Sequence, residues 1–263
     1  MLYSYKDLIN ELNNMGLNGS ETIMVHSSFS SIKNIEGGAE TVIKAFKDFF
    51  KDGLLLFPTH TWGIIKNDGD VLDIKLPNSN VGYLTNKVIE DSDFIRSIHP
   101  THSVCAYGKD RLKWIKDDIN STTPVSPNGS FGKLKDGDYI LFIGCPLSKN
   151  TFVHSIEEEM NVENRFTNHY YKFYVKDYNN KLIEFNIKRH FSTLNPHISD
   201  NYEKLLPILL KLNIAKKVKF MDSISYLVDS KLLYKLVKEF LKYDIHSFDD
   251  DRDLKKYLNF INY

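Results

Sequence analysis

A histidine and a glutamate three residues apart are the side chains of this sequence best suited to acid–base chemistry. His154 and Glu157 fall in residues 150–159, which begin with suitable helix N-caps, so the two side chains are predicted to share one helix face. A carboxylate beside an imidazole fixes the tautomer and raises the basicity of the ring, as a general base requires. A solvated surface pair would have the same spacing. The apolar run at residues 139–144 favours catalysis, because open α/β sheets place their sites at the carboxyl ends of strands.

A serine-rich turn followed by a double glycine forms a candidate anion site. A predicted strand at residues 22–26 runs into this turn, and a predicted helix through residue 50 follows it. The residues concerned are Ser27, Ser28, Ser30, Ser31, Gly37 and Gly38. Hydroxyls, free backbone N–H groups and a helix N-terminus all favour a bound diphosphate. Helix capping would use the same residue types, and the turn matches neither a Walker loop nor the Rossmann fingerprint.

Polar residues also follow the second apolar run, LLLF. Thr59, His60 and Thr61 come directly after it and are predicted to line a pocket at the sheet edge. His99 and His102 flank a proline turn, where a histidine commonly holds the turn by hydrogen bonds, and His102 is in addition a candidate substrate contact. No role follows from the sequence for the remaining histidines of the second half, His169, His190, His197 and His246.

The candidate residues are predicted to lie at the ends of alternating strands and helices. Residues 22–57 predict a βαβ unit, which normally has parallel strands and a right-handed crossover. Residues 62–80 are polar and predict an irregular excursion, whereas residues 169–187 predict an antiparallel hairpin. Helices are predicted at residues 202–212 and 230–243. The sequence therefore predicts an α/β fold with a central mixed, largely parallel sheet flanked by helices, and an antiparallel hairpin-containing C-terminal part.

Composition narrows the class of protein. The 263 residues carry 34 basic and 34 acidic side chains, and this balance argues against a dedicated nucleic-acid or membrane-surface binder. No apolar run approaches the roughly 20 residues of a membrane span, and the first helix is no signal peptide, so we expect a cytoplasmic protein. Cys105 and Cys145 both lie in apolar, strand-like runs without metal-ligand spacing and are predicted to be buried thiols.

Four stretches in a fixed order carry a family resemblance. They are VHSSFSSI with GGAETVI, then LLFPTHTW, then RSIHPTHSVCAYG, then SPNGSFGKL followed by ILFIGCPLSKNTFVHSIEE. Each is a weak motif alone, but four with appropriate spacing are specific. These stretches make the chain resemble the aminoglycoside 3-N-acetyltransferase family, in a match that runs from the first helix to at least Glu159.

The resemblance implies a reaction and assigns roles. It implies acetyl-coenzyme A as acyl donor, no metal, and an amine on a small amino sugar as acceptor, in a fold distinct from the commoner acetyltransferase superfamily. It implies that His154 is the catalytic base with Glu157 as its partner, and that the Ser27-to-Ser31 loop with Gly37 and Gly38 holds the coenzyme. Because both cysteines are predicted to be buried, we expect direct transfer without an acyl-enzyme.

The second part of the chain departs from the family pattern. We expect a single acyltransferase domain over residues 1–263, with residues 1–164 binding coenzyme and performing catalysis and residues 165–263 shaping the acceptor pocket. Basic residues cluster around the predicted hairpin, namely Lys172, Lys176, Lys181, Lys188 and Arg189. These groups would suit an anionic acceptor such as a nucleotide-linked amino sugar, as in surface-glycan biosynthesis, although lysines on a hairpin are commonly a solvated face.

Two other classes of protein are alternatives to an acetyltransferase. A zinc-dependent hydrolase would use His154, Glu157 and another histidine as ligands, but the His-Glu-x-x-His spacing typical of a single helix is absent. A non-catalytic protein that binds coenzyme A would keep the fold, and the intact pair of His154 and Glu157 argues mildly against it. The sequence does not fix the oligomeric state, and a homodimer stays open.

Overall fold

The computed structural model describes residues 2–261, and seven α-helices and ten strands lie within that range. The helices are α1 Tyr5–Asn14, α2 Gly38–Phe49, α3 Tyr83–Glu90, α4 Arg111–Ile115, α5 Thr151–Glu159, α6 Leu206–Lys211 and α7 Ser230–Tyr243. The strands are β1 Thr22–Ser27, β2 Leu54–Pro58, β3 Val71–Asp73, β4 Ile95–Arg96, β5 Val104–Gly108, β6 Tyr139–Ile143, β7 Tyr171–Lys176, β8 Leu182–Ile187, β9 Ala215–Phe220 and β10 Ser223–Asp229.

A seven-stranded sheet forms the centre of the fold, in the order β4-β5-β2-β1-β6-β10-β9. β1 pairs in parallel with β2 and with β6, and this confirms the predicted βαβ unit and the mixed α/β fold. The sheet is less parallel than expected, because β5, β4, β10 and β9 all pair antiparallel to their neighbours. β4 and β5, and likewise β9 and β10, follow each other directly in the chain, and short connections of this kind join antiparallel strands.

Helices cover both faces of this sheet. One buried cluster joins α2 to the sheet through side chains such as Val42 and Phe46, and it includes Val25 of β1. The cluster on the opposite face includes Phe142 of β6 and Phe152 of α5. Burying a side chain of this size contributes about 1.5–3 kcal/mol, so the two faces together fix the positions of α2 and α5 at the ends of the parallel strands.

A second sheet of three strands, in the order β3-β7-β8, lies outside the central one. The predicted hairpin is confirmed as β7 and β8, which pair antiparallel. The prediction that residues 62–80 are irregular is wrong in one place, because β3 adds to β7 in parallel with three residues. A strand so short carries no readable alternation, and its stability comes from Leu72 and its neighbours in a separate buried cluster.

The C-terminal part is joined to the first part through the central sheet, since β10 pairs with β6. The predicted helix at residues 202–212 is divided into a 3-10 helix, Ile198–Leu205, and α6, which has Pro207 in its first turn. Among residues 2–261, no helix is both long and apolar enough to cross a membrane.

Candidate active site

α5 places His154 and Glu157 at the carboxyl end of β6. Its apolar face, with Phe152, Val153 and Ile156, is buried against the sheet, and this orients the remaining face toward the C-terminal part of the chain. Glu157 is fully buried, whereas 11% of the His154 side chain is exposed. The predicted pair therefore exists, with 3.1 Å between His154 Nδ1 and Glu157 Oε2.

Tyr202 completes the arrangement from the 3-10 helix Ile198–Leu205. Its hydroxyl lies 2.6 Å from His154 Nδ1 and donates to Glu157 Oε2 at 2.5 Å. Burial, followed by the charge of Glu157, raises the pKa of the Tyr202 phenol well above its ordinary value, so the hydroxyl keeps its proton. Because the Tyr202 hydroxyl donates to the carboxylate, its contact with His154 requires a hydrogen on Nδ1, and Nε2 is the ring nitrogen left to accept a proton.

Arg165 holds the other oxygen of Glu157. Its Nε donates to Glu157 Oε1 at 2.8 Å, and its Nη2 donates to Asp249 Oδ1 at 2.7 Å. Burial opposes ionisation of Glu157, but the hydrogen bond from His154, the charge of His154 when that ring is protonated and the charge of Arg165 outweigh burial and hold the pKa of Glu157 below its ordinary value. Glu157 is thus an ionised, fully hydrogen-bonded carboxylate that stabilises a protonated His154.

A row of histidines extends from His154 across the site. The distance between ring centroids is 4.3 Å for His154 and His190, 5.1 Å for His190 and His102, and 4.5 Å for His102 and His60. The row ends where His60 Nε2 meets Thr151 Oγ1 at 3.1 Å, one turn before His154 on α5. Burial, followed by nearby positive charge, lowers the pKa of His60, His102 and His190 well below the ordinary value, so these rings are neutral.

Thr59 and Thr61 lie beside this row, but their hydroxyls have structural partners. Thr59 Oγ1 bonds Ser103 Oγ, and Thr61 Oγ1 donates to the carbonyl of Pro100. Both residues are fully buried. The row of rings connects His60 and His102 to His154 through His190. For both histidines and both threonines, a substrate contact stays a prediction.

The serine-rich turn lies at the same end of the sheet, beside the end of β6. The Ser28 N–H donates to the Ile143 carbonyl, and Ser31 Oγ donates to the Ser28 carbonyl and to Ser223 Oγ. Ser30 is exposed, and its hydroxyl lies 3.1 Å from that of Ser28, while Ser27 ends β1.

Gly37 and Gly38 precede and begin α2, with φ of 74° and 65°. No side chain caps this helix, and a Cβ at Gly37 would collide with Thr41 Oγ1, so a glycine is needed there. The turn and the uncapped helix N-terminus fit the phosphates of a coenzyme, and binding itself stays a prediction.

Three residues of the site were not found by sequence reasoning. Tyr202 and Arg165 lie in segments whose residues showed no catalytic spacing, and His190 was one of the histidines given no role. The bridge between Phe166 and His190 brings His190 to the site, shortly after β8. The one signal for His190 in the sequence was its position a few residues after a predicted strand, and that signal is weak.

The structure also locates the two cysteines and the basic residues of the hairpin. Cys105 is buried in β5, but Cys145 follows β6 and is partly exposed, and burial raises the pKa of each thiol to about 12. Among residues 2–261, no three His, Cys, Asp or Glu side chains are grouped to hold a metal ion. The hairpin lysines Lys172 and Lys176 lie against Glu184 and Asp73 of their own sheet, so their charges are locally balanced.

The family model described as aminoglycoside 3-N-acetyltransferase matches residues 24–242. The chain belongs to the aminoglycoside 3-N-acetyltransferase family. The matched residues include the serine-rich turn, all of α5 with His154, and His190, Tyr202 and Arg165. Residues 1–23 and 243–263 lie outside the match.

Curated relatives carry the same family name. The chain is 27% identical over 174 residues to the SPbeta prophage-derived aminoglycoside N(3')-acetyltransferase-like protein YokD of Bacillus subtilis (strain 168), covering 58% of this chain and 64% of the relative. It is 24% identical over 183 residues to aminoglycoside N(3)-acetyltransferase III of Salmonella sp, covering 62% and 63%. The matched stretch is thus a little under two thirds of the length of these relatives.

Solved structures share the fold over nearly their full length. The aminoglycoside acetyltransferase AAC(3)-IVa, as an alanine mutant in complex with a gentamicin, has a TM-score of 0.79 at 19% identity and covers 94% of this chain and 92% of its own. AAC-IIIb in a binary complex with CoASH has a TM-score of 0.78 at 18% identity and covers 92% and 97%. At these identities the likeness establishes the fold.

Proposed function

We propose that this protein is a coenzyme A-dependent N-acetyltransferase that acetylates an amino group of an aminoglycoside, with His154 as general base and direct transfer from acetyl-coenzyme A. The observation that carries the proposal is the geometry at His154 Nδ1, which is 2.6 Å from Tyr202 and 3.1 Å from Glu157. These two groups occupy Nδ1, so Nε2 is the ring nitrogen available to accept a proton. Family membership supplies the reaction class.

The acceptor amine is mostly ammonium near pH 7 and reacts in its neutral form, after the ammonium has lost one proton to solvent. The reaction requires a base for the second proton, which the nitrogen loses as the C–N bond forms. In the attack, the amine nitrogen forms a bond to the thioester carbonyl carbon, and His154 Nε2 takes a proton from that nitrogen. The C–S bond then breaks, and the thiolate leaves and receives the proton from His154. Base catalysis of this kind contributes about 10²–10⁴ in rate. Glu157, ionised and fixed by Arg165, stabilises the imidazolium that forms between the two steps.

The tetrahedral oxyanion needs hydrogen-bond donors, and Asn150 is the best-supported candidate. It directly precedes α5, one turn from His154, and it is 1% exposed. Its side-chain nitrogen and oxygen are both buried without a hydrogen-bond partner among residues 2–261. A buried amide left unpaired costs about 1–3 kcal/mol, which a bound substrate group would offset. The amide nitrogen would then stabilise the oxyanion in the transition state.

Coenzyme A would lie across the carboxyl ends of β1 and β6. Ser28 and Ser30 offer hydroxyls and α2 offers an uncapped N-terminus, and both suit phosphates. Relatives are solved with CoASH and with a gentamicin, and this supports the donor and acceptor classes. The alternative acceptor, a nucleotide-linked amino sugar, loses the support of two of the five basic residues around the hairpin, because Lys172 and Lys176 lie beside carboxylates of the same sheet.

The test replaces His154 by alanine in the full chain. His154→Ala should lower kcat by about 10²–10⁴, whereas the dissociation constant for coenzyme A, measured by calorimetry, should change little, because the proposed coenzyme site lies on other elements. The matched control is His169→Ala, since His169 is exposed and lies outside the site. A His154→Ala enzyme that kept most of its kcat would refute the assignment of the base.

A second assay addresses the acceptor. Michaelis constants should be measured for a 2-deoxystreptamine aminoglycoside and for several nucleotide-linked amino sugars, with one acetyl-coenzyme A concentration throughout. The proposal expects efficient turnover of the aminoglycoside. Efficient turnover of the nucleotide-linked sugars alone would make the family name a description of fold and chemistry only.

A further inference from the structure

A segment near the C-terminus, residues 246–250, reaches the proposed active site although it lies beyond the residues matched by the family model. Asp249 Oδ1 accepts a hydrogen bond from Arg165 Nη2 at 2.7 Å, and its side chain is 15% exposed. Phe248 is fully buried and packs edge-on against Tyr202, with 5.5 Å between the ring centroids. Both side chains that hold the carboxylate of the proposed pair are therefore in contact with this segment.

Further hydrogen bonds fix the segment in place. Asn201 Nδ2 donates to the carbonyl of Phe248 at 3.0 Å. Lys204 Nζ donates to the carbonyls of Ser247 and Asp250 at 2.6 and 2.7 Å. Both donors lie on the 3-10 helix that carries the tyrosine of the site, so the segment and this helix pack as one unit.

Arg165 depends on Asp249 for its orientation. Its Nε donates to Glu157 Oε1 at 2.8 Å, whereas its Nη1 reaches the carbonyls of Glu163 and Asn164 only at 3.3 and 3.4 Å. The contact of 2.7 Å with Asp249 is the one other short hydrogen bond of this guanidinium among the described residues. A guanidinium is a rigid planar fork, so a partner on Nη2 fixes the direction in which Nε points.

We propose that Asp249 is a positioning residue for the proposed base and acts through Arg165. This inference rests on the proposed function. Asp249 holds the guanidinium of Arg165, and the guanidinium holds one oxygen of Glu157. The other oxygen of Glu157 then stays within hydrogen-bond reach of His154 Nδ1. A catalytic group displaced by about 1 Å can lose about 10²-fold in rate, so loss of Asp249 should lower kcat while binding is retained.

The test compares two substitutions at Asp249. Asp249→Ala removes the partner of Arg165, whereas Asp249→Asn keeps an oxygen that can accept from Nη2. We expect kcat to fall about 10- to 100-fold in Asp249→Ala and no more than about threefold in Asp249→Asn. KM for acetyl-coenzyme A and for the aminoglycoside should stay within about twofold of the wild type in both. Each kcat is divided by the number of coenzyme A sites counted by calorimetry, so unfolded protein does not contribute.

Asp251→Ala is the matched control. Asp251 belongs to the same run of three aspartates, but it is exposed, and its loss should leave kcat unchanged. An Asp249→Ala enzyme that kept most of its kcat would overturn the proposal. An Asp249→Asn enzyme as slow as Asp249→Ala would also overturn it, because a hydrogen-bond acceptor would then not be what Arg165 requires.

A double substitution separates positioning from a general effect on the fold. Arg165→Lys keeps the positive charge but lacks the fork that contacts both carboxylates, so it should lower kcat by itself. Adding Asp249→Ala to Arg165→Lys should lower kcat by less than about twofold more, because Asp249 acts through Arg165. Losses that multiply would refute this route and leave His154 as the base. A wild-type enzyme that acetylated no aminoglycoside would overturn the proposed function and this inference together.

Discussion

Replacing Arg165 by methionine is the perturbation for which the structure predicts the largest loss of stability at the site. Its side chain is 1% exposed, and its partner Glu157 is fully buried. A surface ion pair contributes about 0–1 kcal/mol, whereas removing one partner of a buried pair costs about 3–5 kcal/mol. Asp249 is 15% exposed and retains His246 as a neighbour, so most of the cost falls on Glu157. We expect Arg165→Met to lower the free energy of unfolding by about 3–5 kcal/mol near pH 7.

The pH dependence of that loss follows from Glu157. In the wild type its pKa is lowered, so its contribution is present above the unfolded pKa and disappears as the pH falls through the folded value. Removing Arg165 takes away one of the positive charges that lower the pKa of Glu157, so Glu157 binds a proton at a higher pH in the variant than in the wild type. The difference between the two proteins should therefore shrink as the pH is lowered through the pKa of Glu157 in the variant and toward the lower wild-type value.

Urea unfolding with a fitted m-value at several pH values measures this difference. Arg252→Met is the control, because Arg252 is 31% exposed and should lose no more than about 1 kcal/mol. The double variant Arg165→Met with Glu157→Gln removes the unpaired charge and should be more stable than Arg165→Met alone. The reasoning is refuted if the single variant loses less than about 1 kcal/mol, or if the double variant loses the sum of the two single losses.

Two further predictions concern the mechanism and the coenzyme. When the protein is incubated with acetyl-coenzyme A and no acceptor, intact-mass measurement should detect no added acetyl group. The reason is that burial raises the pKa of Cys105 and Cys145 to about 12, so neither thiol is a ready nucleophile. A stoichiometric adduct on either cysteine would refute direct transfer. Gly144→Ala should weaken coenzyme A binding in calorimetry by about tenfold or more, since the added Cβ would collide with Ser31 Oγ and displace the serine-rich turn. Gly69→Ala is the control, because the Cβ added there would meet no atom within 4 Å beyond its chain neighbours. Unchanged affinity in Gly144→Ala would exclude the turn from the coenzyme site.

Local patterns in the sequence were sufficient to predict the part of the candidate site that lies on α5 and on the serine-rich turn. His154 and Glu157 are three residues apart on one helix, and helix geometry alone makes them neighbours. The parallel pairing of β1 with β2 follows in the same way from strand, helix and strand in succession. The Ser27-to-Ser31 turn was predicted for its composition, and it does lie at the carboxyl end of β1.

The rest of the site depends on contacts between residues far apart in the chain. Tyr202 meets Glu157 across 45 residues, and Arg165 meets Asp249 across 84. The directions of β5 and β10 in the sheet, and the addition of the three-residue β3 to β7, were decided in the same way. Periodicity reports which face of an element is apolar, but it does not report which other element covers that face. The sequence by itself therefore predicted the proposed base and its helix, and only tertiary packing placed Tyr202, Arg165 and His190 around His154.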